Sequence, residues 1–254
     1  MSIILEAEHL TKVFTTKGKE VLKAVDDVSF QLESGEILGI VGESGCGKST
    51  LAKLITRLTD MTSGTLIFDG KDITNLTGRE RKDFYGKIQM VFQNPLTSFD
   101  PRRTLGDGIG ESLRNRGMKK EERNRRITEV LEQAGLSAEF ADRYPHEVSG
   151  GQCQRAAIAR ALAVEPAILI CDEATSALDV TIQKQIMDLL LELKEKQGLS
   201  FIFICHNLAL VQMFCDRVLV LYDGKVAESG TTDEIINHPK EEYTKKLIES
   251  ACES

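Results

Sequence analysis

The segment Gly42-Glu43-Ser44-Gly45-Cys46-Gly47-Lys48-Ser49 brings glycines, a lysine and a hydroxyl together just ahead of a helix-forming run. It matches the pattern GxxxxGK[ST], and the apolar stretch Ile37 to Val41 that feeds it supplies the strand-then-helix context the pattern requires. Glycines let backbone N–H groups turn toward an anion, and the helix N-terminus adds the positive end of its dipole. Lys48 is placed to reach the β- and γ-phosphates of a nucleotide and the Ser49 hydroxyl to bind Mg²⁺, with Gly42, Ser44, Gly45, Cys46, Gly47 and Thr50 completing the cradle. By ordinary residue frequencies the four specified positions coincide in roughly one chain of this length in a hundred, so a glycine turn that merely caps a helix is a poor account of them.

A second chemical feature lies far downstream. The apolar run Ile168-Leu169-Ile170-Cys171 ends on Asp172-Glu173. At the C-terminal end of a strand in an open α/β sheet a carboxylate faces the ligand crevice, so Asp172 is expected to hold Mg²⁺, through water, and Glu173 to polarise an attacking water as general base. Taken alone, such a pair reads as a helix N-cap. A phosphate loop upstream reverses that preference.

The elements that must position these groups follow from the pattern of apolar residues. Ile3 to Glu8, Ala24 to Leu32 and Glu36 to Val41 read as strands, and a helix is expected from about Lys48 to Leu58. After a strand at 87–92, helical periodicity runs from about Leu105 to Val164, interrupted near Gly135 and Pro145. Strand and helix then alternate through 167–171, 182–196, 200–205, 208–214 and 217–222, a βαβ arrangement with a largely parallel core sheet. At 254 residues, with 41% hydrophobic and 28% charged residues, one domain with a sub-domain is expected: a core of 1–93 and 166–254 and a mainly helical insertion at 94–165.

Composition excludes several classes. The net charge of −7 argues against a surface built for nucleic acid, and the basic stretch from Arg114 to Arg126, which also contains Glu121 and Glu122, reads as a solvated helix face. No run approaches the ~18 apolar residues of a spanning helix, and the opening residues lack the layout of a signal peptide. The six cysteines form no CxxC pair, so neither a zinc site nor a disulfide framework is expected, and the cytoplasm is the natural compartment.

With these residues in place, Val148-Ser149-Gly150-Gly151-Gln152 resembles the signature of the ATP-binding cassette family, with Val where Leu is commoner. The resemblance extends over nearly the whole chain: Gln93 matches the Q-loop, Ser176-Ala177-Leu178-Asp179 the D-loop, His206 the switch histidine and Phe14 the adenine-stacking aromatic. It implies an α/β fold with a P-loop NTPase (RecA-like) core, an N-terminal antiparallel β sub-domain and a helical signature sub-domain. It also implies ATP and Mg²⁺ as cofactors. Such subunits pair head to tail, so that Ser149, Gly150 and Gly151 close over the γ-phosphate of ATP held by the partner, and Gln152 and Asp179 are among the nucleotide-binding residues. His206 then orients the attacking water, and Gln93 touches Mg²⁺ and reports occupancy.

Gln89 to Pro95, Ser98 to Arg102, Ser176 to Val180 and the tail His238-Pro239 with Tyr243-Thr244 are similar to the peptide and nickel importer branch, the tail being an HPYT ending interrupted by Lys240, Glu241 and Glu242. The branch implies a second ATPase subunit, the same or a related chain, two transmembrane permeases and an extracytoplasmic solute-binding protein, with this chain on the cytoplasmic face of the membrane. It looks like the second ATPase of such a set, and with only Cys252 near the end no iron–sulfur cluster is expected. Cassette proteins that act on ribosomes usually carry two cassettes, and those that act on DNA a long coiled coil; neither feature appears here, and a regulator without turnover would lack Glu173. The insertion is expected to carry the surface that grips the permease, with Phe99, Pro101 and Leu105 as apolar receivers, against the alternative that these pack inside the sub-domain.

Overall fold

The structure is a computed structural model that describes residues 2–15, 21–174 and 179–252. In chain order its elements are β1 (Ile3–Thr15), β2 (Val21–Glu33), β3 (Ile37–Val41), α1 (Lys48–Ile55), β4 (Ser63–Phe68), β5 (Lys71–Asp72), α2 (Gly78–Phe84), β6 (Ile88–Val91), α3 (Leu105–Ile109), α4 (Glu111–Asn115), α5 (Lys120–Gln133), α6 (Gly150–Leu162), β7 (Ile168–Asp172), α7 (Val180–Gln197), β8 (Ser200–Ile204), α8 (Leu208–Phe214), β9 (Arg217–Tyr222), β10 (Lys225–Thr231), α9 (Thr232–Asn237) and α10 (Glu242–Cys252). The chain divides into two compact units, residues 1–82 with 198–254, and residues 83–197. Among the described residues no helix is long and apolar enough to cross a membrane.

In the first unit, β2-β1-β4-β5 form an antiparallel sheet, and the order β10-β9-β3-β8 places β3 parallel to both β8 and β9 while β10 returns antiparallel to β9. All five residues of β3 and of β8 are buried, which is why both read as unbroken apolar runs instead of alternating ones. Gly39 in the middle of β3 is required by packing, because a Cβ there would lie 2.9 Å from the Cys215 sulfur at the end of α8. The start of β3 is pinned by polar groups: Asp216 accepts the Ile37 N–H at 2.8 Å, and the buried Glu36 pairs with Arg217 at 3.0 Å. These contacts fix where β3 ends and hence where the loop after it begins.

In the second unit β6 and β7 pair in parallel, Ile88 opposite Ile168 through Val91 opposite Cys171. The helices pack on small residues, with Cys153, Ala156 and Ala159 of α6 fully buried. Two arginines close helix C-termini, where free carbonyls carry the negative end of the dipole. Arg126 donates to the Leu162 and Ala163 carbonyls beyond α6, and Arg155 to the Ala134 carbonyl beyond α5. The stretch 114–126 is therefore not wholly a solvated face, since Arg126 is structural.

The apolar residues proposed to receive a permease split the same way. Phe99 is 5% exposed, its ring beneath the Arg160 guanidinium at 4.6 Å, and Leu105 is fully buried, so both belong to the core of this unit. Only Pro101 is exposed.

Candidate active site

The phosphate loop is built where buried β3 hands over to α1. Gly42 has φ 150°, and a Cβ there would lie 2.2 Å from the Leu221 carbonyl oxygen; Gly47 has φ 108°, with a Cβ 2.2 Å from the Ala24 carbonyl oxygen. Both positions demand glycine for conformation and for space. The Gly224 N–H donates to the Cys46 carbonyl at 3.0 Å, so the loop is clamped by its neighbours before any ligand arrives. Lys48 is buried to 5% exposure and donates through Nζ to the carbonyls of Gly42 and Glu43, each at 2.8 Å. Its Nζ lies 3.8 Å from the Cys46 sulfur, and burial raises the pKa of that thiol despite the adjacent cation. Ser44, Gly45 and Ser49 are exposed and Thr50 half-buried. The Lys48 ammonium is thus held on the carbonyls of its own loop, at the start of α1 where the sequence places the phosphate-binding pattern.

Two further residues of the first unit bear on the site. His206 is exposed immediately after β8, and Asn207 caps α8 by accepting the Leu210 N–H at 3.3 Å, which sets the turn that carries the histidine. Phe14 is 41% exposed, pairs with Leu22 across the β1–β2 ladder and has Lys12 Nζ 5.0 Å from its ring centroid. It is not a core aromatic, and Lys12 lies over its ring.

In the second unit Asp172 ends β7 and is 8% exposed; burial and the Asp172 carboxylate together push the neighbouring Cys171 thiol up to about 12. Glu173 follows with φ 49°, a left-handed conformation that costs a non-glycine residue on the order of 1–3 kcal/mol and recurs at functional sites. Gln93, just beyond β6, donates from Nε2 to the Glu173 carboxylate at 2.8 Å. The expected base and the expected sensor, 80 positions apart in sequence, are thus hydrogen-bonded.

The signature residues open α6. Ser149 accepts the Gln152 N–H at 3.3 Å, and the Gln152 side chain accepts the Ser149 N–H at 2.9 Å, a reciprocal capping box. Gly150 is exposed, while Gly151 is buried against Ile182, where a Cβ would come within 2.7 Å of a methyl carbon. Gln152, expected to contact nucleotide, is here engaged in the cap. Asp179 likewise caps α7, accepting the Ile182 N–H at 3.0 Å; Ser176, Ala177 and Leu178 of the same motif lie outside the described residues.

One contact escaped the sequence reading. Tyr243 of α10 accepts the backbone N–H of Glu43, in the phosphate loop, at 3.1 Å. The tail motif containing it is visible in the sequence, but nothing in its spacing says which peptide it reaches.

Comparison with known proteins identifies the family. The ABC transporter family profile matches residues 25–176. The chain belongs to the ABC transporter family. It is 46% identical over 248 residues to the oligopeptide transport ATP-binding protein OppF of Bacillus subtilis (strain 168), covering 96% of this chain and 81% of that protein. To the di/tripeptide transport ATP-binding protein DppF of Pseudomonas aeruginosa (strain UCBPP-PA14) it is 42% identical, covering 98% and 79%. Among solved structures, an ATP-binding cassette captured as a dimer in a post-hydrolysis state with ADP and Pi superposes with a TM-score of 0.82 at 33% identity, over 90% of this chain and 99% of that one. This ABC subunit is an ATPase with the α/β cassette fold expected from its sequence.

Proposed function

We propose that this ABC ATPase drives a membrane importer of peptides from the cytoplasmic face of the membrane. The names of its relatives, oligopeptide and di/tripeptide transport ATP-binding proteins, favour peptides over nickel as the cargo of the complex. The subunit works with two permeases, an extracytoplasmic solute-binding protein and a second cassette, identical or related.

In this reading the backbone N–H groups of residues 42–50 and Lys48 hold the phosphates, and the Phe14 face holds adenine. The Ser49 hydroxyl, the Asp172 carboxylate and the Gln93 amide oxygen are hard oxygen donors of the kind that bind Mg²⁺ through one or two protein groups plus phosphates. Among the described residues no cluster of three or more His, Cys, Asp or Glu forms an all-protein cage, which fits a cation shared with a nucleotide. When bound, Mg²⁺ neutralises charge building on the phosphates. The chain's own residues do the remainder: Glu173 takes the proton of the attacking water, His206 orients that water, and Gln93 holds Glu173 in place until the nucleotide is seated. Ser149, Gly150, Gly151, Gln152 and Asp179 act on ATP bound by the partner cassette.

The observation that supports this most is the Gln93–Glu173 hydrogen bond on a left-handed backbone at the end of β7. A carboxylate needed only as a helix cap has no use for a glutamine 80 positions away. The test is Glu173→Gln, assayed with the permeases present. ATP binding is expected to survive while turnover falls on the order of 10²–10⁴-fold, the range for loss of a general base. Near-normal hydrolysis by a folded variant would remove Glu173 from that role.

A further inference from the structure

The tail motif, His238-Pro239 with Tyr243-Thr244, has no part in the chemistry above, yet within the first unit it reaches the phosphate loop. Glu228 of β10 accepts the backbone N–H groups of Lys240 at 2.9 Å and Glu241 at 3.2 Å, fastening the approach to α10. Tyr243 then packs its ring on Tyr222 at the end of β9, with centroids 4.2 Å apart, and presents its hydroxyl to the Glu43 N–H at 3.1 Å. Burial raises the pKa of the Tyr243 phenol, so the hydroxyl stays uncharged beside the loop.

The significance lies in which peptide is held. The Glu43 N–H shares a rigid peptide plane with the Gly42 carbonyl, and that carbonyl accepts from Lys48 Nζ at 2.8 Å. One peptide unit is therefore gripped at both ends, by a lysine on the oxygen and a tyrosine on the nitrogen. That plane turns about ψ of Gly42 and φ of Glu43, and the missing Cβ at Gly42 leaves the first of these little restrained. A lysine that turns to phosphate oxygens lets go of its end. The tyrosine has no such alternative and keeps its hold.

We propose that Tyr243 is a positioning residue of the phosphate loop, fixing the Gly42–Glu43 peptide while nucleotide draws Lys48 away. The proposal rests on the reading of residues 42–49 as the phosphate-binding loop, and it gives the C-terminal helix a part in nucleotide binding. The hydroxyl should matter more in the nucleotide-bound state than in the free one, because only then is the lysine grip absent.

Tyr243→Phe removes the acceptor and keeps the ring on Tyr222. The full chain is titrated with a fluorescent ATP analogue, and amide hydrogen exchange is followed with and without ATP. The expected result is an affinity weakened about 2- to 10-fold, the net worth of one hydrogen bond. Faster exchange should be confined to the loop peptide, appear chiefly in the ATP-bound form and leave β3 and β9 unchanged. Unchanged affinity overturns the proposal, whether exchange is unchanged everywhere or accelerated evenly along α10 and β9, the latter being the pattern of a purely structural tyrosine. Lys48→Ala is run alongside. If it weakens ATP binding while Tyr243→Phe does not, only the tyrosine proposal falls; if it leaves affinity intact, the reading of the loop falls too.

Discussion

The loop at residues 42–49 and the signature turn are both glycine-bearing segments that open a helix, but they are held differently. The loop is held from outside: the carbonyls of Ala24 and Leu221 leave room for nothing but glycine, and Gly224 and Tyr243 bond its backbone. The signature turn carries its own reciprocal cap, Ser149 with Gln152, and has Gly151 packed against Ile182. A site clamped by its surroundings is ready before its ligand arrives and loses little entropy on binding. In the signature turn the Ser149 hydroxyl accepts the Gln152 N–H and keeps its own O–H to donate, so the cap shapes the turn without using up that donor.

The sharpest way to break this comparison is to injure each half separately. Lys48→Ala should weaken ATP binding by the isolated subunit, whereas Ser149→Arg, which sets bulk and a cation where the partner's phosphates dock, should leave that binding intact. With Ser149→Arg, ATP-dependent dimers should fail to form and turnover in the complex should fall on the order of 10²-fold or more, the scale for losing donors aimed at a developing anion. Light scattering with ATP decides the matter; wild-type dimerisation by Ser149→Arg would make the signature a purely structural turn.

A second test, read in stability, separates the site from its scaffold. Phe99→Asp places a carboxylate in the core of the second unit, in a space bounded by Gly108 and Arg160, and should destabilise the protein by about 3–5 kcal/mol, as large core losses do. Chemical denaturation measures this directly. A stable variant that binds ATP but fails in transport would return Phe99 to the role of a docking residue.

The smallest effect tests the self-cap alone. Ser149→Ala should cost about 1 kcal/mol, confined to the first turn of α6. Hydrogen exchange should quicken at residues 150–153 and nowhere in the loop at 42–50. A change in both segments would mean that the two are not independently held.

The parts of the candidate site can be read from the sequence because they are local. A glycine-rich loop, a carboxylate at a strand end and a helix cap each depend on a few adjacent residues, and β3, β7 and β8 declare themselves as fully apolar runs. The boundaries of α8 and β9 likewise follow from periodicity and fall where expected, at Leu208–Phe214 and Arg217–Tyr222. Less regular pieces left no comparable pattern: β5 has only Lys71 and Asp72, and β10, with the sequence Lys-Val-Ala-Glu-Ser-Gly-Thr, alternates too weakly to stand out. The C-terminal helix was passed over as a motif without a place.

Apolar residue type told where Phe99 and Leu105 prefer to be but not what covers them, since a docking face and a core position have the same composition. Burial decided it, and burial is a property of the packed chain. The same holds for Gln93 on Glu173 and Tyr243 on Glu43, contacts across 80 and 200 positions that no periodicity encodes. The proposed anion cradle is marked by the sequence itself, because residue type and spacing identify the glycine loop, while the walls that hold it come from distant segments. Which side chain steadies that cradle was decided only by the fold, because hydrogen bonds between distant segments exist only once the packing of the strands and helices has brought them together.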